Sequence, residues 1–494
     1  MSQRFTPLNV FLTCLWTGAV IPGGSEWLSA IKEVIMNAFR KLYEPVDMTT
    51  GTPWKKILLF TIPMLIGNIT QQLYNTVDSI VVGKYVGDNA LAAVGSAGPI
   101  VNLLICLFVG ISMGASITVS QFLGAKRREA LSHTIGNCLI LIVISTVIIM
   151  VVGTLVTRPL LVALHTPESI LDWCTNYLHI MFWGAAGLSF YNILSGVLRG
   201  LGDSMAALLY LVIASILNIF LDLFFVRSFH MGVAGVALAT VIAQAISAVF
   251  CLHRLYTMRD LFDLNRSYIK WNRKYAMNII RLGIPSGITQ AILSMAMILV
   301  QSLTNTFGEQ FIAANVIVMR VDGFAMLPNM SFGTAMTTYA GQNVGAGDYD
   351  RVTKGARQGT ILAMAVTTAI TGLILIFGHT LMGLFTNTQE LIDIAVHLIR
   401  ILAVGYIAMA VLQCLSGVMR GAGDTMTPMW ISIFQTLGVR VVLAYLFVHL
   451  TKTPELPLGD RNMIYVSLMC AWVIGTLVTC FFYFKGDWKK KALK

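Results

Sequence analysis

Few ionisable side chains fall inside the apolar stretches of this chain, and their types differ between its halves. The first half has Asp78 and Asp222; the second has Arg320, Asp322, Arg400 and Arg440. A charge in hydrocarbon costs at least ~2.5–3.5 kcal/mol, so each one needs a partner or a task. Asn218 and Asp222 are four residues apart and share a helical face. Asp78 stands in Tyr74-Asn75-Thr76-Val77-Asp78-Ser79. Thr240 lies in the small-residue run 232–247, where helices can approach closely. Together these side chains offer carboxylate, amide and hydroxyl oxygens, the ligands a hard cation such as Na+ takes. The same carboxylates, taken out of water, could carry a proton instead. The bland alternative leaves Asp222 bonded to a neighbouring helix and Asp78 facing an aqueous mouth.

The elements that must position these residues are membrane spans. The 494 residues are 56% hydrophobic and 12% charged, with mean hydropathy +0.75; a soluble domain is nearer a quarter charged. Several apolar runs exceed the ~18 residues a helix needs to cross a bilayer. Hydropathy predicts twelve, from 57–82 to 463–484, and no soluble domain. The chain also repeats itself at an offset of about 221. Ser195-Gly196-Val197-Leu198-Arg199-Gly200-Leu201-Gly202-Asp203 returns as Ser416-Gly417-Val418-Met419-Arg420-Gly421-Ala422-Gly423-Asp424. Gln121 pairs with Gln342, Gly124 with Gly345 and Gly87 with Gly308; Pro63 pairs with Pro285 after one residue of slip. The expected fold is an all-α polytopic membrane protein of twelve helices in two pseudo-symmetric six-helix lobes. Two homologous bundles suit transport, because they can rock about a site between or within them. At the repeat offset Asp222 meets Leu443 and Asn218 meets Val439, so a cation site is expected in the first half only.

The net charge of +11 is topological rather than a sign of nucleic-acid binding. With the first span entering from the cytoplasm, cytoplasmic connections hold 22 Lys and Arg and outer ones 5. That asymmetry places both termini in the cytoplasm. The expected organisation is an extension over 1–47, lobes over 48–255 and 281–484, a linker over 256–280 and a basic tail over 485–494. The extension fits the rest poorly: 10–22 is too short to span, and translation starting at Met36 or Met48, or an amphipathic surface helix over 29–43, are the readings open. The eight Cys form no C-x-x-C pair, so neither a zinc nor a redox site is indicated. A Walker A loop, H-E-x-x-H and G-x-S-x-G are all missing, and with them direct ATP drive and the usual membrane hydrolases. No enzyme activity and no cofactor are expected.

Several motifs in order resemble the multidrug and toxic compound extrusion (MATE) family. They are Ile62-Pro63, Leu73-Tyr74-Asn75-Thr76-Val77-Asp78, Ala90-Leu91-Ala92-Ala93-Val94-Gly95, Gln121-Phe122-Leu123-Gly124-Ala125 and both copies of Gly-Val-x-Arg-Gly-x-Gly-Asp. The resemblance covers Pro53 to the last span. It implies a prokaryotic inner-membrane monomer that exports organic cations and other xenobiotics by antiport with Na+ or H+, through a central V-shaped cavity. It carries over a first-lobe coupling site of Asp78, Asn218, Asp222 and Thr240. One branch of the family bears acids in helices seven and ten; this chain has Leu293 and Met409 there, so a second-lobe site is not expected. Candidate substrate contacts are Tyr74, Gln71, Asn192, Arg320 and Arg440, with Phe182, Met295 and Met326 as further apolar lining. Arg320 and Asp322, two apart, do not share a face, and Arg440 could serve structure or substrate. Pro63, Pro99, Pro285 and Pro328 could let spans bend. The partners are a small organic molecule and membrane lipid. The alternative is a lipid-linked oligosaccharide flippase of the wider superfamily, which would need a cavity rich in Arg and Lys.

Overall fold

The computed structural model describes residues 44–163 and 166–493, of which those from 46 onward belong to one compact unit. The expected extension therefore lies outside the described residues except for 44–47, as does Cys14; the Pro99 side chain is also outside them. Among the described residues, eleven single helices and one bent pair are long and apolar enough to cross a membrane. In chain order they are α1 (Pro53–Val86), α2 (Ala92–Gly124), α3 (Arg128–Val162), α4, α5 (Ser204–Ser228) and α6 (Gly232–Thr257). Then come α7 (Arg273–Asn305), α8 (Glu309–Gly345), α9 (Tyr349–Ile376), α10 (Gln389–Gly421), α11 (Met426–Leu450) and α12 (Met463–Lys485). The pair α4 comprises Glu168–Trp183 and Ala185–Gly200, bent by 53°. The described residues contain no strand. Helices are the form that satisfies each backbone group within its own segment, as a bilayer requires. Val143, Val147, Val151 and Leu155 make an outward stripe on α3, each more than half exposed, as suits a lipid-facing surface.

Packing follows the repeat. In the first lobe α1 lies on α5, α5 on α6, and the second helix of α4 on α2 and α6. In the second lobe α7 lies on α11, α11 on α12, and α10 on α8 and α12. The lobes meet reciprocally, α2 on α7 and α8 on α1. The α2–α7 contact is built of glycines, Gly110 and Gly114 against Gly283 and Gly287, with backbone touching backbone.

The repeated Gly-Val-x-Arg-Gly-x-Gly-Asp motif is a helix stop, a turn and a helix start. Gly202 and Gly423 take φ of +90° and +95°, which a side chain would strain. Asp203 then accepts the Ala206 N–H at 2.9 Å and caps α5; Asp424 accepts the Thr427 N–H at 3.2 Å. Each aspartate also takes one cation, Arg254 at 2.7 Å and Lys491 at 2.9 Å.

The lobes close on each other at the end that carries most of the basic side chains. Gln121 donates to the Gly421 carbonyl at 2.7 Å, and Gln342 to the Gly200 carbonyl at 3.2 Å, each crossing to the other lobe. Their own carbonyls are taken by terminal segments: the Met48 N–H binds Gln342 at 3.0 Å and the Leu493 N–H binds Gln121 at 2.9 Å. The connection between the lobes docks on α3. Arg128 grips the carbonyls of Arg259 and Asp260 and the carboxylate of Asp263, which it holds below the usual carboxylate range. Helix α7 begins at Arg273, so its first turns use residues that hydropathy alone assigns to that connection.

A Cβ on Gly124 would fall on the Gln342 carbonyl, and one on Gly345 on the Gln121 carbonyl. Gly124→Ala is expected to loosen this closed end by about 1–3 kcal/mol. Amide exchange over 121–128 and 342–348 should speed up relative to wild type. Equal protection in the two proteins would refute the contact.

Candidate cation and substrate sites

Helices α1, α5 and α6 bring four expected residues together. Asn218 and Asp222 are fully buried on one face of α5. Thr240 on α6 faces them: its hydroxyl lies 3.4 Å from the Asn218 amide nitrogen, which donates to it. The same hydroxyl lies 3.1 Å from the Tyr74 hydroxyl of α1. One turn further along α1, Asp78 faces Asp222, with the Tyr74 hydroxyl beside it and Tyr177 of α4 facing both acids. Both oxygens of Asp222, Oδ1 of Asp78 and Oδ1 of Asn218 receive no hydrogen bond among the described residues. Two carboxylates held this way repel unless a cation or a proton lies with them. Carboxylate, amide and hydroxyl oxygens are donors that suit a hard cation, and the carboxylates can also take a proton.

Both acid-bearing helices change winding just past the acids. Residues Val82–Val86 of α1 and Phe224–Ser228 of α5 are π-helical, and the two segments pack together. Such turns carry an extra residue and often mark functional positions.

The expected substrate contacts divide among separate places. Gln71 and Asn192 line a cavity of about 350 Å³ inside the first lobe, walled on one side by Met330 and Thr334 of α8. Tyr74 joins the acids instead. Arg320 is exposed on α8 and lines no part of this cavity. Arg440 lies in the second lobe, where it lines a pocket of about 70 Å³ with Asp322, Gln301, Asn315 and Tyr465. Phe182 is core, Met295 is exposed, and Met326 packs on the second-lobe core; Met64, Met113 and Met330 line the cavity in their stead.

Two features escaped the residue pattern. Arg199 is one of the 22 Lys and Arg that the charge count assigns to the cytoplasmic connections. It sits in the last turn of α4 and lines the cavity. Asp322 and Arg440 face one pocket with Tyr406 nearby, and Asp322 Oδ1, Arg440 Nε and the Tyr406 hydroxyl have no hydrogen bond among the described residues. Arg440 lies in a third π-helical segment, Phe434–Val441. Nothing in spacing linked α8 to α11.

The MatE family profile matches residues 63–224 and again 285–446, one copy in each lobe. The protein belongs to the MATE family. A probable multidrug resistance protein of Bacillus subtilis, YoeA, is 31% identical over 89% of this chain and 95% of its own length. An outward-facing multidrug resistance MATE transporter of the MOP superfamily superposes with a TM-score of 0.84 at 27% identity, covering 90% of this chain and 99% of that one. A MOP superfamily transporter from Pyrococcus furiosus, whose binding pocket is described as of reverse polarity, gives 0.83 at 27%, covering 90% and 97%. MATE proteins are cation-coupled transporters, not enzymes, and this MATE protein is an integral membrane transporter of two six-helix lobes.

A cation bound by the acids stabilises the folded state by mass action. The thermal midpoint in detergent is expected to rise when Na+ replaces choline at constant ionic strength, or when pH is lowered. Asp222→Asn should abolish the response. A response that survives the substitution would place the ion elsewhere.

Proposed function

We infer that this MATE transporter exports drug-like organic compounds by antiport with Na+ or H+. The coupling ion binds at Asp78, Asn218, Asp222 and Thr240, and the compound occupies the first-lobe cavity. The observation that carries this reading is the pair of facing carboxylates with unsatisfied oxygens, on two of the helices that wall the cavity. The relatives described as multidrug resistance proteins support the class of cargo.

The orientation follows from charge. The basic end faces the cytoplasm of a prokaryote, with both ends of the compact unit on that side. With the lobes closed there through Gly124 and Gly345, this is an outward-facing state. Loading an ion between Asp78 and Asp222 draws α1 and α5 together next to their π-helical turns. Coupling needs the ion to bind the two states with different affinity, and repacking of these turns supplies that difference. The transporter acts as a monomer, since each lobe pair is complete within one chain. The flippase alternative would need several cationic side chains on the cavity wall, and Arg199 alone among the lining residues is charged.

The experiment is efflux of ethidium from proteoliposomes under an imposed Na+ or H+ gradient. Wild type should export under one gradient, which names the ion, and Asp222→Asn should lose at least about tenfold in rate, the factor for ~1.4 kcal/mol. Export at the wild-type rate by Asp222→Asn, or no export under either gradient, would overturn the reading.

A further inference from the structure

Arg199 is a cation without a counter-charge in a wall that is otherwise neutral. Its guanidinium donates to the Ser195 hydroxyl at 3.2 Å and the Ser112 hydroxyl at 3.3 Å, both long contacts to uncharged groups. Arg254, Lys491 and Arg128 are matched by Asp203, Asp424 and Asp263, whereas Arg420, the repeat counterpart of Arg199, has no ion pair among the described residues and a buried Nε without a hydrogen bond. The acid nearest in sequence, Asp203, is thus spent on Arg254 and on capping α5. No carboxylate among the described residues lies within ion-pair distance of Arg199. The carbonyl end of α4 offsets part of the charge, but only part. A half-buried guanidinium with two long contacts leaves most of its five donors available.

The surroundings fit a ligand rather than a structural bond. Arg199 is the single charged side chain among the lining residues, and Ser116, Asn192, Asn68 and Thr334 line the same space with hydroxyl and amide groups. A planar fork beside hydroxyls and amides matches a carboxylate, phosphate or sulfonate, which can take two parallel hydrogen bonds. The repeat supplies an internal contrast. Arg420 occupies the same motif position in the second lobe but does not line this cavity.

We propose that Arg199 holds an anionic group of the exported compound, so that the transporter favours zwitterionic or anionic molecules over purely cationic ones of the same shape. This rests on the reading that the first-lobe cavity takes the cargo. The acids at Asp78 and Asp222 then serve the coupling ion, and the two charges of opposite sign serve different ligands.

The test compares rhodamine 110, which carries a free carboxylate, with rhodamine 123, its methyl ester. Binding of each is measured by fluorescence anisotropy on purified protein in phosphatidylcholine nanodiscs. Wild type is expected to bind rhodamine 110 at least about tenfold more tightly than the ester, the scale of one charge-assisted pair. The ratio should fall towards one in Arg199→Gln and keep part of its value in Arg199→Lys, which retains the charge without the fork. Arg420→Gln should leave the ratio as in wild type. A ratio near one in wild type, or the same ratio in Arg199→Gln, overturns the anion site while leaving export intact. Binding of neither dye overturns the cargo reading of the cavity and this one with it. Competition by phosphatidylglycerol added to the nanodisc would overturn the assignment to cargo and give the guanidinium to a lipid phosphate.

Discussion

Inside hydrocarbon there is no water to complete a hydrogen bond or screen a charge, and this constraint organises the whole molecule. Backbone groups are closed off within helices, and hydroxyl side chains such as Thr61, Thr118 and Thr337 bond back to carbonyls of their own helix. Against that background the few polar groups left unsatisfied stand out. Two groups of them form among the described residues, at the acids of α1 and α5 and at the Asp322–Arg440 pocket, while others, such as His133, Ser286, Thr360 and Arg420, lie elsewhere. Several unsatisfied groups gathered in one place, unlike a single one, mark a position where something else can meet them.

The duplication is kept where the lobes must fit and lost where they must differ. Gln121 and Gln342 cross between lobes in matching ways, each finished by the N–H of a terminal segment. Asp203 and Asp424 cap equivalent helices and each bind one cation. These contacts tolerate little change, because glycine backbone packs directly on backbone there. The interiors are freer. One lobe holds two facing carboxylates, the other a carboxylate and a guanidinium across a small pocket. A symmetric interface thus surrounds interiors of different charge.

The spacing of Asn218 and Asp222 already placed both on one face of one helix, since a period of 3.6 residues is a local property. It is also why the repeat was visible: turn glycines and capping aspartates are demanded by local backbone geometry and leave fixed letters behind. Hydropathy found the spans because length and apolarity are summed over neighbours in the chain. It misplaced Arg199, because it registers where a charge falls along a run but not toward which side a helical turn directs it. It could not separate Arg320 from Arg440, two arginines in apolar stretches, one exposed and the other in a pocket.

The sequence by itself therefore determined the membrane class, the two homologous six-helix lobes, the basic side and the shared helical face of Asn218 and Asp222. Each of these follows from composition or from interactions a few residues apart. Only the tertiary structure decided which partners meet. It set Asp78 across from Asp222, divided the expected substrate contacts among separate places and turned Arg199 into the cavity. Those meetings join helices distant in the chain through side-chain packing, and packing depends on all the neighbours at once, with no spacing rule to announce it.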